Sequence, residues 1–223
     1  MPSKTCPICN RRRGKRFCPG LPASRWRGDH QIICAPCCGE QREASIDCPA
    51  DCPYLAAAHR YEAARPTATP EMPFPEVALD RFFLEDHQPL ITGLAFCLCR
   101  FAADHAELHD PEVLAALDSL ARGFQTLDSG LYYEQPPEAP AARALYAAAQ
   151  EYLNHFSQEK QQHAGTSLRP GEILRALVFF RRLAAREANA RPLSRKFLRF
   201  LQSQLPADAQ EKSDEPRLIL PGS

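Results

Sequence analysis

From Val113 to Leu127 the apolar residues recur at intervals of three and four, as Val113, Leu114, Leu117, Leu120, Ala121, Phe124 and Leu127. That period predicts an amphipathic helix with Asp110 as N-cap, Pro111 as its first residue and Gly130 beyond its end. The same spacing marks a second helix through Leu145, Ala149, Tyr152, Leu153 and Phe156, and a third through Ile173, Leu174, Leu177, Val178, Phe180 and Leu183. A fourth, basic and amphipathic, starts at Ser194 as N-cap and buries Phe197, Leu198, Leu201 and Leu205. With helices over 76–88 and 89–105, five or six helices supply enough apolar faces to close one bundle core. Leu90 to Phe101 is apolar nearly all round, the pattern of a helix at the bundle centre.

The periodicity stops at residues 66–75, PTATPEMPFP, whose four prolines predict an extended linker. Before it, residues 1–65 form a cysteine-rich module closed by a short helix from about Cys52 to Ala64. After it, residues 76–205 form the all-α domain, and the polar 206–223 predict a disordered tail. The fold class is therefore mostly α. The most apolar stretch, the 14 residues from Leu90 to Ala103, is interrupted by Arg100 and falls short of a bilayer span. With no apolar run behind the basic N-terminus, no secretory signal is expected, and the reading is cytoplasmic and membrane-free.

Eight of the ten cysteines lie in the first 52 residues, spaced Cys6-x2-Cys9-x8-Cys18-x15-Cys34-x2-Cys37-Cys38-x9-Cys48-x3-Cys52. In a reducing compartment, paired thiols hold metal rather than disulfides. Two thiolates three positions apart in a tight turn reach one ion at about 2.3 Å each, the geometry of a zinc knuckle. Eight thiols suit two zinc ions. The simplest partition puts Cys6, Cys9, Cys34 and Cys37 on one and Cys18, Cys38, Cys48 and Cys52 on the other, interleaved as in a cross-braced, zinc-finger-like module. Cys37 and Cys38 then serve different ions by pointing to opposite sides of an extended chain. His30 and His59 are alternative ligands, and a single ion is an alternative stoichiometry. Four thiolates per ion leave no open position for water, so the zinc is expected to be structural and the protein not an enzyme. About sixty residues bury little core, and the ions would supply most of the module's folding energy.

The run CCGEQREASIDCPADCPYL, with CPIC and FCPG before it, resembles a group of uncharacterised bacterial cysteine-rich proteins. In them a CPIC…CCG…R…CP…CPYL zinc-binding core precedes an all-helical region, and NARPLSRKFLRFL is similar to the end of that region. The resemblance implies this architecture and no activity. Cys37-Cys38-Gly39 also resembles the CCG signature of heterodisulfide reductase subunits, which would imply an iron-sulfur cluster or thiol redox chemistry. That family places its next Cys-x2-Cys more than thirty residues on, whereas Cys48 follows here after nine.

Net charge is zero overall but +5, −10 and +5 over residues 1–65, 66–168 and 169–223. Two four-thiolate zinc sites would lower the first figure to about +1. Within it, no acid interrupts Lys4, Arg11, Arg12, Arg13, Lys15, Arg16, Arg25 and Arg27, and Phe17 and Trp26 sit among them. Cations interleaved with aromatics suit phosphates with bases stacked beside them, so Arg11, Arg12, Arg13, Lys15, Arg16, Arg25, Trp26 and Arg27 are the candidate contact surface. RNA is favoured over DNA, because isolated aromatics suit unpaired bases. The alternative is a zinc-dependent protein-interaction adaptor. Arg191, Arg195 and Arg199 recur every four residues, predicting one face of the last helix, either as a second phosphate ridge or packed within the molecule. Cys97 and Cys99, about 200° apart on a helix, read as core thiols. His105 and His109 read as helix-terminal histidines.

Overall fold

The computed structural model describes residues 5–25, 31–65, 71–131 and 133–205. Among these there are eight α-helices and two short strands. Trp26, Arg27, His30 and the tail from residue 206 lie outside the described residues.

The cysteine-rich part contains β1 (Arg16–Phe17), β2 (Ile32–Ile33), α1 (Ala35–Gln41) and α2 (Pro53–Ala63). β1 and β2 pair antiparallel, Arg16 opposite Ile33. Pro36 and Pro53 each sit in the first turn of their helices, where a missing N–H costs nothing. The helical part contains α3 (Arg81–Asp86), α4 (Gln88–Asp104), α5 (Asp110–Asp128), α6 (Pro140–Ala164), α7 (Pro170–Glu187) and α8 (Lys196–Gln204). These are the six helices the apolar spacing allows.

α5 packs against α6, α7 and α8, and α4 packs against α6 and α8. The centre of the bundle is thus α5 rather than α4. α4 buries Leu90, Leu94, Leu98 and Cys99 but leaves Phe96 exposed, because only one stripe of its apolar surface finds a partner. Cys99 sits in this stripe and half-buried Cys97 faces Ala148 of α6, both as ordinary thiols, which burial pushes up to about 12 and about 11.

One cap assignment changes and another is shared. The N-cap of α5 is His109, whose backbone N–H donates to Glu112. Asp110, inside the helix, turns its buried carboxylate across to α8. There it accepts from Ser194 Oγ at 2.9 Å, Phe197 N–H at 3.0 Å and Leu198 N–H at 3.3 Å. Ser194 lies one residue before the α8 boundary at Arg195, and its Oγ still accepts the Lys196 N–H at 3.1 Å, so it shares the cap with Asp110. The first turn of α8 is therefore capped partly from another helix.

Residues 71–79 cross the bundle as a strap. The Arg182 guanidinium donates to the carbonyls of Pro73, Phe74 and Val77, and Arg175 donates to Ala78 O and pairs with Asp80 at 2.7 Å.

Candidate metal centre

The first knuckle closes through Cys6 N–H to Arg12 O at 2.8 Å and Asn10 N–H to Cys6 O at 2.9 Å, with Asn10 in the left-handed region that a tight turn needs. The second opens α1: Cys34 is its N-cap, and Cys37 and Cys38 lie in its first turns. The two cysteines are therefore helical, where extended chain was expected, because Pro36 starts the helix ahead of them.

The Sγ atoms of Cys6, Cys9, Cys34 and Cys37 all lie within 4.8 Å of one another, the one group of ligand atoms this close among the described residues. Cys9 and Cys34 are 3.9 Å apart. A tetrahedron with metal–sulfur bonds of about 2.3 Å has sulfur–sulfur edges of about 3.8 Å, so the cluster has the size of a four-thiolate site. The chemistry fits as well. The N–H groups of Arg11 and Arg12 face Cys9 Sγ and hold its pKa down at about 6. Burial resists ionisation of Cys6, but the N–H groups of Cys34, Cys9 and Ile8 outweigh it and lower that thiol. Cys37 is pushed up by burial and by the neighbouring thiols, as expected where several negative sulfurs share one small space. A cation between them removes that conflict.

The guanidinium of Arg12 hydrogen-bonds Cys34, and the surrounding thiolates raise its pKa further. Arg12 thus belongs to the cluster's supporting shell, whereas Arg11, Arg13, Lys15 and Arg25 point to solvent.

The other four thiols, Cys18, Cys38, Cys48 and Cys52, are buried in the same small core. Cys18 follows β1, and its pKa rises to about 11 through burial and the proximity of Cys48, Cys38 and Cys52. The loops carrying them touch. A side chain at Gly20 would collide with Asp47 O, so only glycine lets the Cys18 loop lie against the residue before Cys48. Cys52 opens α2 as its N-cap. Cysteines make up seven of the eleven buried residues of this core, beside Leu21, Ile33, Ile46 and Leu55. Apolar burial on that scale is too small to hold a fold.

His59 is committed elsewhere: its Nε2 lies 2.9 Å from Oε2 of Glu43, which also accepts from Asn189 at 2.8 Å. His105 stacks on Phe101, and His109 faces Asp47, Glu112 and Arg195.

The basic ridge turns inward. Only Arg199 lies within α8; Arg195 is its N-cap and Arg191 precedes it. Arg191 donates to Gly39 O and Arg42 O, Arg195 pairs with Asp47 at 3.3 Å, and Arg199 donates to Cys48 O at 3.0 Å. The spacing of four announces a ridge, but its partners are largely backbone carbonyls, which leave no mark in a sequence. Glu43 was equally hidden: fully buried, it links α2 to the turn after α7.

No protein-family model, no curated protein and no solved structure matches the chain. The resemblance to bacterial cysteine-rich proteins accordingly rests on its motif residues alone. Among the described residues no helix is long and apolar enough to cross a membrane. The chain is a mostly helical protein whose N-terminal cysteines form a cluster able to bind a metal ion.

Proposed function

We propose that this is a non-enzymatic protein whose N-terminal module is built on two structural zinc ions and presents a basic strand to single-stranded nucleic acid, RNA before DNA. The metal part is supported by the four convergent thiols, whose full coordination would leave no site for substrate, and by the four further buried thiols. An all-thiolate tetrahedral donor set suits zinc.

The observation that carries the binding part is an alternation. From Arg13 to Cys18 the residues run exposed, buried, exposed, half-buried, exposed, buried. Gly14 lies against Ile32, Cys18 is in the cysteine core, and Arg16 stacks 4.7 Å over the Tyr54 ring. Arg13, Lys15 and Phe17 share the outer face, with Phe17 61% exposed. Two cations and an aromatic ring two residues apart can hold consecutive phosphates and stack a base, and the metal cluster fixes the strand so that little entropy is lost on binding. An aromatic ring beside two cations favours nucleic acid over an adaptor role.

Anisotropy titration of labelled single-stranded RNA at several salt concentrations tests this. Phe17→Ala should cost about 1–3 kcal/mol with little change in salt slope. Arg13→Ala with Lys15→Ala should flatten the log–log slope by about 0.7 for each lost phosphate contact. Wild-type protein with full zinc content that shows no salt-sensitive binding to RNA or DNA refutes the nucleic-acid reading and leaves the adaptor.

A further inference from the structure

The four sulfurs of the metal cluster differ in what can reach them. Cys6, Cys34 and Cys37 are 0%, 2% and 3% exposed, and Cys9 alone stands half-buried, on the turn that closes the first knuckle. A small solute therefore meets the cluster at Cys9.

Two groups beside that sulfur suit it to react with an oxidant whose leaving group departs as an anion. The Arg12 guanidinium hydrogen-bonds Cys34 and lies close enough to feel the charge of Cys9 and Cys37 as well. Cys34 Sγ is itself 3.9 Å from Cys9 Sγ, although 25 residues separate the two along the chain. Cys97, the other half-buried thiol, has neither group: its sulfur meets only the Ala148 carbonyl at 4.0 Å. Exposure, a neighbouring cation and a second thiol within reach are what make a cysteine an oxidation site.

We propose that Cys9 is the site at which hydrogen peroxide oxidises this protein, and that the product is a Cys9–Cys34 disulfide formed with loss of the metal ion. In the first step the Cys9 thiolate attacks one peroxide oxygen. The O–O bond breaks, Cys9 becomes a sulfenic acid, and hydroxide leaves beside Arg12. In the second step the Cys34 thiolate attacks Cys9 Sγ, the S–S bond forms, and the sulfenic oxygen leaves as a second hydroxide. The two thiolates give up two electrons and the peroxide takes both. Cys6 and Cys37 alone do not complete a four-ligand site. The new bond runs from one knuckle to the other and closes a loop that contains the β1–β2 pair, so the turns stay together and a thiol reductant restores the site. The inference rests on the metal reading of this cluster and is independent of nucleic acid.

The zinc-loaded full-length protein tests it with one equivalent of hydrogen peroxide. Zinc release to a chromophoric chelator is read beside dimedone labelling at short times and peptide mass mapping of crosslinks at long times. Cys9 should take the first dimedone label. Zinc should then appear in step with a Cys9–Cys34 crosslink, one ion for each, with Cys97 and Cys99 still free. Dithiothreitol with added zinc should reverse both changes. A protein that binds no metal overturns the metal reading and the oxidation site with it. A loaded protein that keeps its zinc and all ten thiols overturns the oxidation site alone. So does a first label on another cysteine, a crosslink from Cys9 to Cys6 or Cys37, or a crosslink that forms with the zinc retained.

Discussion

Asp110 is a carboxylate on α5 that terminates a different helix, and removing it measures how much the fold depends on that reach. The side chain is 1% exposed and accepts from Phe197 N–H, Leu198 N–H and Ser194 Oγ. Burial pushes its carboxyl above the ordinary value, against the pull of those three donors. In Asp110→Ala the Ser194 hydroxyl can turn away, but the two N–H groups sit in a first turn whose residues Phe197 and Leu198 are buried, and water cannot replace the carboxylate. Each orphaned buried donor costs roughly 1–3 kcal/mol, so the variant should lose about 3–4 kcal/mol. At about 2–4 °C per kcal/mol for a chain of this size, the melting temperature should fall by roughly 6–16 °C. Asp110→Asn keeps one acceptor oxygen and should lose about half as much. Urea and thermal unfolding followed by circular dichroism at constant zinc measure both. A loss within about 0.5 kcal/mol of zero in Asp110→Ala, the range of an ordinary surface change, would refute the cross-helix cap. Equal losses in the two variants would show that the charge, and not the acceptor, is what α8 needs.

Two further outcomes follow from side chains whose roles separate neighbours. Arg12→Ala should weaken binding of one zinc ion about 10- to 100-fold in chelator competition, as loss of a supporting shell does, while Arg11→Ala leaves it unchanged. Glu172 has a folded pKa below its ordinary 4.5: burial opposes this, but the Arg169 N–H and His87 outweigh it. Its contribution is therefore present above pH 4.5 and lost as pH falls through the lower folded value, so Glu172→Gln should flatten the wild type's loss of stability below pH 4.5 in urea titrations.

The helices of the bundle were legible because each must bury one stripe, and a stripe writes itself into the sequence every three to four residues. Leu117, Leu153, Leu177 and Phe197 are all fully buried where that period put them. The first thiol cluster was legible for a related reason, since a knuckle needs its two sulfurs at a fixed separation. What connects the parts was not legible. Proline suppresses backbone donors, so residues 71–75 read as free linker, yet their carbonyls remain and Arg182 takes them. Asp110 reads as the cap of its own helix, because sequence shows neighbours along the chain and not the turn of another helix lying across them.

Arg182 also sets a limit on how far the cysteine module can travel. With the strap pinned at Pro73 and Arg65 held to the end of α2 through its N–H to Glu62 O, the eight-residue step between them has a covalent reach of about 26–29 Å, at roughly 3.3–3.6 Å per residue. A module that lets go of the bundle therefore remains at an effective concentration of millimolar order, and its return is a unimolecular step. On so short a leash even a weak interface stays closed most of the time.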